Sequence, residues 1–124
     1  MPEPCVYVID DEEAVRDSMA LLLEARELRV QSFASGAEFL AVAASLPAGC
    51  VVTDMRMPGM DGLELLRRIT ESNLSLPVIV MTGHGEESLV AQAARAGAIA
   101  CIEKPFRADV LLDAVFSGLQ VGEA

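Results

Sequence analysis

The sequence predicts one α/β domain built on a doubly wound, five-stranded parallel sheet. Short apolar runs at Val6-Tyr7-Val8-Ile9, Val51-Val52-Thr53, Val78-Ile79-Val80-Met81 and Ile99-Ala100-Cys101-Ile102 alternate with stretches of helical periodicity. Runs that are apolar along their whole length belong to strands covered on both faces, as in a parallel sheet between helix layers. Each run also leads into polar chemistry: Asp10-Asp11, Asp54, Thr82 and Lys104 respectively. The carboxyl edge of such a sheet is where open α/β folds place their ligands.

Taken in order, Cys5 to Ile9 forms the first strand, and Ala14 to about Ala25 follows as an amphipathic helix with Val15, Met19 and Leu22 inward. Glu12 and Glu13 at the start of that helix complement its dipole, a sufficient structural reason for both. Leu28 to Phe33 alternates apolar and polar residues, the pattern of a partly covered edge strand. Ser35-Gly36-Ala37-Glu38 has the spacing of a capping box, and a short helix continues from Phe39 to about Ser45. The central strand, Cys50 to Asp54, ends in the turn Met57-Pro58-Gly59-Met60, where proline presets one torsion and glycine frees the next. Asp61 caps a helix with Leu63, Leu66 and Ile69 on one face and Arg67, Arg68 and Glu71 outward. Leu76 to Thr82 is the next strand, Glu86 to Ala96 an alanine-rich helix stopped by Gly97, Ile99 to Glu103 the last strand, and Ala108 to about Gln120 the last helix, with Leu111, Val115 and Leu119 inward.

Strands that alternate with helices, joined by right-handed crossovers, leave few arrangements open. Five strands favour the flavodoxin-like order 2-1-3-4-5, which sets the first and third strands side by side. Asp10, Asp11 and Asp54 then converge.

Composition narrows the function. The 124 residues suffice for one domain and not two. With no Trp, one Tyr and four Phe, the core must be built from Val, Leu, Ile, Ala and Met. A formal charge of −10 argues against nucleic-acid binding by this domain, because phosphate contacts need Lys/Arg clusters. No run approaches the length of a membrane span, Met1-Pro2-Glu3-Pro4 lacks the features of a secretory signal, and a cytoplasmic location is expected. Cys5, Cys50 and Cys101 lie far apart without metal-ligand spacing and are expected to be buried free thiols.

Three crowded carboxylates repel unless a cation intervenes. A hard divalent ion meets that need: Mg²⁺ takes one or two carboxylates, keeps waters and accepts a phosphate oxygen. Lys104 adds a fixed positive charge and Thr82 a hydroxyl donor, an electrostatic clamp of the kind phosphoryl transfer requires. An aspartate held there can serve as nucleophile and carry an acyl phosphate. Singly, each residue has a plainer reading: Asp54 as a turn former, Thr82 bonding its own backbone, Lys104 as a solvated loop lysine. It is their agreement at four strand ends that favours a site.

The set Asp10-Asp11, Asp54, Thr82 and Lys104-Pro105-Phe106, with Met57-Pro58-Gly59-Met60-Asp61-Gly62 and Ala96-Gly97-Ala98, resembles over the whole chain, residues 1–124, the CheY-like receiver domain of two-component response regulators. Asp54-Met55-Arg56-Met57-Pro58 together with Thr82-Gly83-His84-Gly85 further resembles the FixJ group of transcriptional regulators. The resemblance implies that Asp54 accepts a phosphoryl group from a sensor histidine kinase. It implies Mg²⁺ held directly by Asp11, Asp54 and the backbone carbonyl of Arg56, with Asp10 contributing directly or through water. Thr82 and Lys104 would contact phosphoryl oxygens, a cis Lys104-Pro105 bond would aim the lysine inward, and the side chains of Arg56 and His84 would tune access of the hydrolysing water. His84 reads equally well as a plain loop histidine.

One position departs from the family pattern. Receivers commonly place Tyr or Phe three residues before the lysine, where this chain has Cys101. Switching would then run through displacement of the loop and helix from Thr82 to Glu87, or through Phe106 or another side chain. The expected switch shifts the face made by the last two helices and last strand and alters either self-association, as a homodimer on phosphorylation, or contact with a partner. The resemblance to the FixJ group implies a helix-turn-helix, DNA-binding output domain that this chain does not contain. The expected role is a phosphoacceptor that assists its own phosphotransfer, not a turnover enzyme. Two rivals stay open at this point: an aspartyl-phosphate phosphohydrolase, which would want an acid where Arg56 stands, and an interaction module independent of phosphorylation.

Overall fold

The computed structural model describes residues 5–74, 76–83 and 85–123, the last three of them by backbone alone. The strands are β1 (Cys5–Ile9), β2 (Arg29–Phe33), β3 (Gly49–Asp54), β4 (Val78–Thr82) and β5 (Ala100–Glu103). Between and after them come α1 (Glu13–Glu24), α2 (Gly36–Val42) with a 3₁₀ turn at Ala43–Ser45, α3 (Gly62–Glu71), α4 (Glu87–Ala96) and α5 (Ala108–Glu123). All neighbouring strands pair in parallel, in the order β2-β1-β3-β4-β5. The expected doubly wound order is therefore the observed one.

Successive residues of each strand point to opposite faces, and this splits the core into two layers. Tyr7, Ile9, Val51 and Val80 face α2, α3 and α4, packing with Phe39, Leu65, Leu66, Ile69 and Ala93. Val6, Val8, Val52, Ile79 and Met81 face α1 and α5, packing with Met19, Leu23, Leu111, Val115 and Leu119. Tyr7 donates its hydroxyl proton to the carbonyl of Pro47, which satisfies the one polar atom of a fully buried ring. Each buried Leu or Ile contributes roughly 1.5–3 kcal/mol by leaving water.

Local signals placed most elements within a residue or two. Ser35 accepts the Glu38 N–H at 3.1 Å and Asp61 accepts the Glu64 N–H at 2.9 Å, so both predicted caps form. The Glu38 carboxylate reaches back to the Ala34 N–H at 3.1 Å, one residue beyond the usual return bond of a capping box. α4 ends with Gly97 at φ 109°, where the Ala98 N–H bonds Ala93 O and the Gly97 N–H bonds Ala94 O. Those two bonds define a Schellman motif, for which the left-handed glycine is well suited.

Three expectations need correction. The buried centre of α1 is Met19 and Leu23, with Val15 and Leu22 only half-buried, because the helix is rolled by part of a turn relative to the predicted face. Cys5 and Cys50 are buried thiols, but Cys101 is only half-buried, on the short outer strand β5 that α4 covers incompletely. Ile99 lies just outside β5 and is exposed.

Candidate functional site

The β1–β3 register pairs Ile9 with Thr53, so the chain carries Asp10 and Asp54 out of the sheet side by side. Asp10 is fully buried. Its Oδ1 accepts the Glu12 N–H at 2.9 Å, its carbonyl accepts a proton from Arg16 at 2.7 Å, and its Oδ2 lies 3.4 Å from Lys104 Nζ. Asp54 closes β3 with Oδ1 3.0 Å from the same Nζ. Asp11 stands exposed at the rim, and Asp10, Asp11 and Asp54 each offer one carboxylate oxygen within 4.8 Å of the others. Three hard oxygen donors at this spacing fit a divalent cation that prefers oxygen. Glu12 and Glu13 stay exposed at the head of α1, Glu12 making no side-chain cap, in keeping with their reading as complements to the helix dipole.

The loop after Asp54 is shaped by close backbone packing. The Gly62 N–H bonds Met55 O at 3.0 Å, and a Cβ at Gly62 would come within 2.3 Å of Asp54 O. No other residue fits there without moving the carbonyl of Asp54. Met55 and Met57 turn into the core while Arg56 turns out.

On the other side, Thr82 is buried at the end of β4, and its carbonyl accepts the Lys104 N–H at 2.7 Å. That bond links the threonine and lysine chains directly. Lys104-Pro105 is cis, as expected. Phe106 packs with the layer formed by α1 and α5, whereas Cys101 packs in the layer that faces α2, α3 and α4, its Sγ 4.0 Å from Val90 O. The two side chains thus lie on opposite faces of the sheet. His84 falls outside the described residues.

Burial raises the proton affinity of Asp54; the hydrogen bond and charge of Lys104 oppose this, Asp10 and Asp11 add to it, and the carboxyl stays above its ordinary pKa. Burial works against the charge of Lys104, but Asp54 and Asp10 outweigh it and hold the ammonium above its ordinary value. The site therefore carries more negative charge than one lysine neutralises.

Sequence reasoning gave no role to Glu86, yet its carboxylate accepts the Gly83 N–H at 2.5 Å and pairs with Arg56 Nε at 2.5 Å. A glutamate at a loop-helix junction carries no local signal of a partner thirty residues away.

The parallel sheet thus gathers three acids, a threonine and a lysine at its carboxyl edge, an α/β domain with a charged site at the ends of its strands. Residues 6–116 match the family model described as "Response regulator receiver domain", and the chain belongs to that family. Among its relatives it is similar to the transcriptional regulatory protein FixJ of Azorhizobium caulinodans, 47% identical over 96% of this chain and 57% of the relative. FixJ of Bradyrhizobium diazoefficiens is 42% identical over 95% of this chain and 58% of the relative. The chain thus spans little more than half the length of these relatives. The crystal structure of FixJ-N superposes with a TM-score of 0.91 at 40% identity, covering 97% of this chain and 96% of that one.

Proposed function

We propose that Asp54 is the phosphoacceptor of a two-component switch, and that residues 1–124 form one receiver unit. The observation that carries this reading is the meeting of Asp10, Asp11, Asp54 and Lys104 at one sheet edge. In the reaction, an Asp54 carboxylate oxygen forms a bond to phosphorus as the bond from phosphorus to the histidine nitrogen of a sensor kinase breaks, leaving that histidine its electron pair. Lys104 neutralises charge on the phosphoryl oxygens and Thr82 donates its hydroxyl proton to one of them. Asp10, Asp11, Asp54 and the carbonyl of Arg56 would hold Mg²⁺, which supplies positive charge against the phosphoryl oxygens when bound.

The charge and geometry support a signalling domain and not a turnover phosphatase, since Arg56 occupies the place of a general acid and its side chain is committed to Glu86. Relatives named as transcriptional regulators, of which this chain spans just over half, support an output domain that binds DNA, with phosphorylation promoting self-association through α4, β5 and α5. Among the described residues no helix is long and apolar enough to cross a membrane. Membership of the receiver family supports placing the switch in the cytoplasm. The test is labelling by acetyl phosphate with Mg²⁺: the wild type is labelled and Asp54→Asn, still folded, is not. Labelling that persists at another residue in Asp54→Asn would overturn the assignment.

A further inference from the structure

The loop that follows Thr82 is held by a carboxylate outside the acidic cluster. Glu86 is only 12% exposed at its side chain although it sits at a loop-helix junction. One oxygen accepts the N–H of Gly83, the residue next to Thr82, and the other pairs with Nε of Arg56, two residues beyond Asp54. The carbonyl of Glu86 accepts the N–H groups of Leu89 at 3.0 Å and Val90 at 3.1 Å in the first turn of α4. One residue therefore joins the loop after β3, the loop after β4 and the start of α4. Both bonds are charge-assisted, the one to Gly83 sheltered and the one to Arg56 open to solvent on the arginine side.

We infer that Glu86 is a positioning residue that latches the domain in its resting state: it ties Gly83 to Arg56 and so restrains Thr82 and the head of α4. This inference rests on the proposed role of Asp54. Movement of Thr82 toward a phosphoryl group on Asp54 carries Gly83 along the chain and draws its N–H away from Glu86. The latch supplies a coupling between the phosphoryl site and α4 that needs no aromatic ring at position 101. It stabilises the resting form alone, so weakening it favours the phosphorylated form.

The test uses the whole chain, Mg²⁺ and beryllofluoride as the phosphoryl mimic, with affinity measured by titration calorimetry. Glu86→Gln keeps an acceptor for the Gly83 N–H and loses the charge pair, Arg56→Gln loses the pair from its exposed side, and the double variant removes both partners. Each single variant is expected to bind beryllofluoride about fivefold more tightly than the wild type, the upper range for a partly exposed ion pair, and the double variant no more tightly than either. A residue that only props up the fold would lower the melting temperature without raising this affinity. Unchanged or weaker binding by a folded Arg56→Gln protein overturns the latch while leaving Asp54 as phosphoacceptor. Failure of the wild type to bind beryllofluoride at all overturns both readings.

Discussion

The ammonium of Lys104 lies 3.0 Å from Oδ1 of Asp54, and it is the cation that offsets part of the charge of the acidic cluster. The same ammonium lies 3.4 Å from Asp10. Lysine and a divalent cation thus draw on the same carboxylates. Lys104→Ala should retain Mg²⁺ binding, with affinity equal to or above that of the wild type, since a competing positive charge is gone. Labelling by acetyl phosphate should slow by about a hundredfold, the usual loss when one preorganised donor to a developing oxyanion is removed. Metal titration and a labelling time course check the two halves separately.

How much of this site could be read in the chain is clearest at Lys104 and Glu86. Lys104 was legible because it follows an apolar run, and a parallel sheet sends every such run to the same edge. Asp10, Asp54 and Thr82 were legible for the same reason. Glu86 was not, because its position depends on how the loop after β4 folds against the loop after β3, and such contacts leave no periodic trace. The roll of α1 escaped for a related reason. Val15, Met19, Leu22 and Leu23 all fit an apolar stripe, and only packing against β1 and β2 decides which of them face inward.

Asp54 gives a stability prediction with a definite sign. Its carboxyl in the folded domain is raised above the ordinary value of 3.8, by burial first and by Asp10 and Asp11 next. A raised folded pKa means that the contribution to stability is fully present below the ordinary value and is lost as pH rises through the folded one. In metal-free protein, Asp54→Asn should therefore gain thermal stability relative to the wild type as pH rises above the ordinary carboxyl value of 3.8 and through the raised folded one. Mg²⁺ at a hundred times its dissociation constant should add about 2.7 kcal/mol to the wild type and far less to the variant. Melting curves with and without the metal measure both.

Glu27 offers a test unconnected with the site. It is the one described residue other than glycine at positive φ, 64°, and it sits where α1 hands over to β2. The Leu28 N–H bonds Leu23 O at 3.2 Å and the Glu27 N–H bonds Glu24 O at 2.9 Å, the Schellman pattern that ends α4 at Gly97. A left-handed residue with a Cβ costs roughly 1–2 kcal/mol, while glycine forfeits roughly 0.5–1 kcal/mol of chain entropy. Glu27→Gly should thus stabilise the domain by about 0.5–1 kcal/mol, a rise of a few degrees in melting temperature. Differential scanning calorimetry reads it.

The thiols should react in an order set by burial. Burial pushes the Cys50 thiol up to about 12, from an ordinary 9.0, and raises Cys5 and Cys101 as well. Only the thiolate attacks an alkylating reagent, so a neutral, buried thiol is doubly protected. In native protein near neutral pH, half-buried Cys101 should be alkylated first, and Cys5 and Cys50 only at the rate of global unfolding. The same shift predicts alkaline sensitivity. Thiols in the unfolded chain ionise from about pH 9 while Cys50 in the folded domain stays neutral, so stability falls as pH rises from 9 toward 12. Cys50→Ala should cost a roughly constant amount for the lost sulfur contacts below pH 9 and show a shallower decline above it. Mass spectrometry of labelled peptides and urea titrations across that range separate the two effects.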